Sequence, residues 1–103
     1  MKGMGVFDVH LERGIDGFPI VNVSHSIVHH SPTGFEWGYG GSGPADLALN
    51  ILSAMIGQEA AQETGLYQKF KWDFIAHMPN EGGIIREEEI ERWLEENDLR
   101  TKK

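Results

Sequence analysis

Between Phe7 and Glu12 apolar and polar residues alternate without a break. Phe7, Val9 and Leu11 fall on one side of an extended chain, Asp8, His10 and Glu12 on the other. A period of two predicts a half-buried strand over residues 6–13. Gly14-Ile15-Asp16-Gly17 then supplies turn chemistry, because glycine reaches positive φ without a steric penalty. A second strand is predicted from Phe18 to Val23, with Ile27 as its furthest extent, so the chain opens as a β-hairpin.

After Gly43 the period becomes helical. Leu47, Ala48, Ile51, Leu52 and Met55 make one apolar stripe, the pattern of a helix packed on a core. Gly43 is the expected N-cap, Pro44 the first helical residue, Asp46 a first-turn carboxylate and Gly57 the C-cap, which predicts a helix over 44–57. A second helix, about 60–78, carries Leu66, Tyr67, Phe70, Phe74, Ile75 and Met78 on one arc. It has a flaw at Gly65, and Trp72 falls off the arc beside Lys69 and Ala76. Pro79 ends it, Asn80 to Gly83 reads as a turn, and Ile84-Ile85 adds a third strand near 83–86. The final helix, 87–97, places Ile90, Trp93 and Leu94 on one side. This order predicts an α+β fold in which about three helices cover one face of a small antiparallel sheet.

Composition narrows the class. A chain of 103 residues, 40% hydrophobic and 24% charged, is expected to form one domain, 1–103. Cysteine is absent, which removes disulfide and thiolate chemistry and agrees with a reducing cytoplasm. Met1 to His10 lacks the apolar run of a signal peptide. The longest apolar stretch, Leu47 to Ile56, is too short to span a bilayer. Localisation is therefore expected to be cytoplasmic, without membrane association. The net charge of −7 disfavours direct binding to nucleic-acid phosphates. Residues 87–98 hold seven carboxylates against Arg92 alone, and so −6 of that charge. Such a run is a solvated helix face or, in a different reading, an acidic decoy for a nucleic-acid-binding protein.

The most distinctive stretch is Ser31 to Pro44, SPTGFEWGYGGSGP, with Trp37 and Tyr39 set among five glycines. Gly38 to Gly43 matches G-x-G-x-x-G and opens a helix, the arrangement that cradles a pyrophosphate in dinucleotide-binding folds. No buried strand leads into it, more helix follows it, and Asp46 is expected to repel an anion there. A P-loop is excluded by Pro44 and Ala45, which stand where lysine and serine or threonine are needed. Gly40-Gly41-Ser42-Gly43-Pro44 resembles a nucleophile elbow, but proline replaces its last glycine. His10, His25, His29, His30 and His77 are scattered, without cysteine, and do not have metal-ligand spacing. Phe70-Lys71-Trp72 could stack on a base, though the surrounding negative charge favours packing. The sequence thus names no catalytic residue, no cofactor and no metal ligand.

The same motif, followed by Leu47-Ala48, resembles the signature of a small uncharacterised bacterial domain family found on chromosomes, plasmids, phages and other mobile elements. Tyr67, Phe70-Lys71-Trp72 and the final helix with Ile90 are similar to that family's pattern. The resemblance implies a cytoplasmic accessory protein and carries no functional residue with it.

Together these readings predict a small non-enzymatic binding or accessory module. Its candidate contact surface is Trp37, Tyr39, Gly40, Gly41, Ser42 and Gly43, with Trp72 beside them, and its ligand is an unidentified protein or small molecule. A second reading is a small-ligand or anion-binding protein, or an enzyme, that uses free N–H groups before Pro44. A homodimer through a sheet edge or an apolar helix face is a further expectation from so small a sheet.

Overall fold

A computed structural model describes residues 7–28 and 34–97. Strand β1 (Val9–Arg13) and β2 (Pro19–Val21) form the expected hairpin, with Leu11 opposite Val21 and Arg13 opposite Pro19. Its turn is closed by the Gly14 N–H donating to Phe18 O at 2.9 Å and the Gly17 N–H to Gly14 O at 2.9 Å. The third strand, β3 (Gly83–Ile85), pairs antiparallel on the other side of β1, so the sheet order is β2-β1-β3. The alternation holds within β1: Val9 and Leu11 are buried together with Ile85, while Ile20 and Ile84 stand exposed on the opposite face. One face of the sheet meets the core and the other is open.

Asp8 departs from the pattern. It was expected to face outward with His10 and Glu12, yet it is buried. Its carboxylate accepts the Glu87 N–H at 2.8 Å and the Arg86 guanidinium at 3.1 Å. Asp8 lies just before β1, where the strand alternation no longer binds it, and it meets an unsatisfied N–H at the start of α4 (Glu87–Asn97). The second strand is also shorter than expected. Beyond Val21 the Asn22 amide takes over, accepting the His10 N–H at 2.8 Å and donating to Asp8 O at 2.9 Å. Residues 23–28 leave the sheet and run along α1 (Ser42–Ile56). The Asn50 amide accepts the Ile27 N–H at 3.0 Å and donates to Ile27 O at 2.9 Å, so a side chain satisfies the backbone that a strand neighbour would otherwise pair.

Helix α1 starts two residues earlier than expected. Gly41 is its cap, with extended backbone at φ −98° and ψ −158°, and the Ala45 N–H donates to Gly41 O at 3.0 Å. Pro44 is therefore the third helical residue, where its missing N–H still costs no intrahelical bond. Asp46 belongs to the second turn and is fully buried, so the expected first-turn carboxylate is not at the helix end. Every residue from Gly43 to Leu52 is buried. This helix is the centre of the fold.

The predicted second helix is broken as its sequence suggested, but more thoroughly. It consists of α2 (Gln58–Gln62), a 3₁₀ turn (Glu63–Gly65) with Gly65 at φ +72°, α3 (Leu66–Phe70) and a π turn (Lys71–Ile75). In the π turn the Ala76 N–H reaches back five residues to Lys71 O at 2.8 Å. Helix α4 buries Ile90, Trp93 and Leu94, the stripe expected from the sequence. The Trp93 indole packs edge-on against Phe70, with centroids 5.2 Å apart, and donates to Asp73 Oδ2 at 2.7 Å. The fold is α+β. Among the described residues no helix is long and apolar enough to cross a membrane.

Candidate functional site

Residues 34–41 run over the surface between the sheet and the π turn before α1 begins. Ser31, Pro32 and Thr33 of the motif, and His29 and His30, lie outside the described residues. Trp37 goes inward and is 2% exposed. Its indole N–H donates to Pro79 O at 3.0 Å and to Asn80 O at 3.1 Å, and the Arg13 guanidinium lies 4.2 Å above its ring. The Gly38 N–H donates to Ile75 O at 3.0 Å, which joins the loop to the end of the π turn.

Arg13 is the hub of this anchorage. It makes a bidentate pair with Glu36 at 3.0 and 2.9 Å. Its Nε donates to Asn80 O at 2.8 Å, and longer contacts of 3.4 Å reach Gly17 O and Asn80 Oδ1. All five N–H groups of the guanidinium are thereby engaged. An open cleft of about 650 Å³ lies against Arg13, Trp37, Tyr39 and Met78, but its arginine has no donor left for a ligand. The Arg13 hydrogen bonds hold the Glu36 carboxyl below its ordinary value of 4.5, with a smaller contribution from the Trp37 N–H, against the opposing effect of burial.

A depressed carboxyl contributes stability that is complete above the unfolded value and fades as pH falls through the folded one. Glu36→Gln is therefore expected to lower the urea midpoint at neutral pH, with the gap to the native chain closing as pH drops below 4.5. A gap that persists unchanged into acid would show that charge on Glu36 is not what holds the clamp.

The outer part of the loop is different. Tyr39 and Trp72 are each 53% exposed. A Cβ built on Gly40 would stand 2.2 Å from the Trp72 ring, and one on Gly41 would stand 2.4 Å from the Tyr39 ring. The two glycines are thus the floor on which the aromatics rest, and a side chain at either would displace the exposed ring above it. Lys71 is buried beside them, with its ammonium 3.2 Å from Gly40 O and 4.5 Å from the Trp72 ring centroid. Gly43 sits tightly against Glu36, where a Cβ would meet Glu36 Cβ at 2.8 Å. Lys71 and Trp72 are the first two residues of the π turn. Such turns recur at functional positions.

The structure therefore divides the seven residues singled out in the sequence. Tyr39, Gly40, Gly41, Ser42 and Trp72 share an accessible surface. Trp37 and Gly43 are buried beneath it as packing residues. Lys71 and Arg13 were not foreseen as part of this region. The only sequence signal for Lys71 was its place beside the off-arc Trp72, and nothing local marked Arg13.

The dinucleotide pattern lacks its context, since among the described residues no strand leads directly into Gly38 and α2 follows α1. The argument from Asp46 is corrected, because its carboxylate faces His25 Nε2 at 3.2 Å and does not guard the helix start. Among the described residues no group of three histidines and carboxylates is close enough to hold a metal ion.

These features define an α+β domain with an aromatic–glycine surface pinned to its core by a tryptophan and an arginine. The chain belongs to the family of unknown function DUF6166, whose family model matches residues 7–96. This agrees with the uncharacterised family that the loop motif resembles. No curated protein and no solved structure matches the chain.

Proposed function

We propose that the protein is a small cytoplasmic binding module, without catalysis of its own, whose contact surface is Tyr39, Gly40, Gly41, Ser42 and Trp72. One observation carries this reading. Two large aromatic side chains, each half exposed, are seated on glycines, where a larger residue would push the ring aside. Aromatic rings held in a fixed place supply contact area at little entropic cost, which is why tyrosine and tryptophan dominate binding hot spots. Lys71 adds a cation on the Trp72 ring, which restrains the indole. The absence of cysteine suits a reducing compartment.

The anion reading is weaker on the same geometry. The ammonium of Lys71 is already engaged with Gly40 O and with the Trp72 ring. The decoy reading has only the exposed glutamates of α4 behind it, and Ile90, Trp93 and Leu94 account for that helix as an amphipathic cover of the core.

The test places the photocrosslinker p-benzoylphenylalanine at position 72 and, in a separate chain, at position 88 on the acidic face. A discrete adduct from position 72 in living cells, lost when Tyr39→Ala is added, supports the reading. Adducts from position 88 alone move the contact to α4. Adducts from neither position overturn it. An adduct of the chain with itself identifies a homodimer as the partner, which sedimentation then measures directly.

A further inference from the structure

A second cleft, of about 460 Å³, opens between β2 and the start of the loop and shares no residue with the Tyr39–Trp72 surface. Its walls are Phe18, Val21, Val23 and Phe35, and the titratable side chain among its lining residues is His25. Phe18 is 70% exposed, a large ring that the fold itself does not cover. The volume falls in the range of small-molecule sites, which pair apolar walls with a few placed polar groups.

His25 is held in one orientation. Its Nε2 lies 3.2 Å from Oδ2 of Asp46, a carboxylate with no exposure to solvent, and its ring stacks on Phe35 with centroids 4.3 Å apart. A carboxylate only accepts, so Nε2 carries the proton. In the neutral ring Nδ1 is then an acceptor. Among the described residues Nδ1 has no hydrogen-bond partner. The cleft thus presents one oriented acceptor beside its aromatic and aliphatic walls. The chain's net charge of −7 opposes an anionic head group and favours a hydrogen-bond donor.

We propose that this cleft binds a small molecule with a flat apolar body and one hydroxyl or N–H group, which donates to His25 Nδ1. The ring of such a ligand lies between Phe18 and Phe35, and its donor replaces water on the imidazole. A site built around one hydrogen bond discriminates against an isostere that lacks the donor.

The experiment uses the intact chain and three para-substituted toluenes: p-cresol, 4-methylanisole and p-toluate. Nitrogen-15 spectra of the imidazole are recorded at about pH 8, where neutral histidine is the usual form. p-Cresol is expected to shift the Nδ1 resonance saturably and to bind about tenfold more tightly than 4-methylanisole. Phe18→Ala, an exposed position outside the core, is expected to weaken p-cresol binding about three- to tenfold while leaving the fold intact. Equal binding of the anisole, preference for the toluate, or no saturable shift with p-cresol would each overturn the proposal. None of these outcomes bears on the crosslinking at position 72.

Discussion

Trp37→Ala is expected to destabilise the fold by about 3–5 kcal/mol, the usual cost of truncating a large buried aromatic. The ring is 2% exposed, and its loss removes the packing beneath the loop, the indole N–H to Pro79 O and Asn80 O, and the surface on which Arg13 lies. A domain of this size has about 5–15 kcal/mol of stability in all, so a large share of it depends on one residue of the loop. Trp37→Phe keeps most of the apolar contact and loses the hydrogen bonds. Its expected cost is about 1–2 kcal/mol, because the two carbonyls belong to exposed residues and can turn to water. Urea denaturation of the three chains decides the point. A Trp37→Ala chain within about 0.5 kcal/mol of native, the range of ordinary surface changes, would mean that the tryptophan does not anchor the loop.

Gly82→Ala is expected to be comparably severe for a different reason. Gly82 has φ +98°, and a Cβ there would lie 2.1 Å from Leu11 O and 2.7 Å from Leu11 C. These are backbone atoms of β1 at the point where Leu11 pairs with Gly83, so they cannot swing aside as a surface ring could. Left-handed strain of about 1–3 kcal/mol adds to an overpacking penalty of about 1–3 kcal/mol. The expected loss is about 3–5 kcal/mol, accompanied by faster amide exchange in β3. Gly17→Ala is the control. Gly17 has φ +85° with nothing within 4 Å of the added Cβ, so it meets the strain alone, about 1–2 kcal/mol. If the two substitutions cost the same, the close approach of Gly82 to β1 contributes nothing.

Much of the architecture was legible along the chain because it depends on local periodicity. The hairpin, the central helix, the interruption at Gly65, the short third strand and the apolar stripe of α4 each followed from spacing, turn residues and glycine or proline punctuation. The errors also have local explanations. A period of two assigns Asp8 to the open face, but the strand begins one residue later, and α4 offers it an N–H. Residues 23–28 are extended like a strand, yet their hydrogen bonds go to a side chain of α1, which no local pattern reveals. The helix start was misplaced by two residues because Gly41 and Gly43 are equally good caps in sequence.

The candidate site was legible only in outline. An aromatic–glycine loop was recognisable as unusual, and Trp72 was visibly out of place on its helix. Which of its aromatics faces outward was not encoded locally, since Trp37 and Tyr39 are two residues apart in the same glycine-rich setting. That distinction arises because Arg13, Pro79 and Asn80 converge on Trp37 from elements far away in sequence. Likewise His25 and Asp46, 21 residues apart, form a pair only because residues 23–28 dock along α1.

By itself, then, the sequence determined the α+β class, the order of the elements and the place where the backbone would be unusual, because turns, caps and periodicity act over a few residues. Tertiary structure alone decided that Trp37 anchors the loop while Tyr39 and Trp72 stand on it, and that a buried carboxylate orients His25 at the edge of a cleft. Those outcomes depend on burial and on hydrogen-bond partners brought together by folding, and neither quantity exists until the chain has packed.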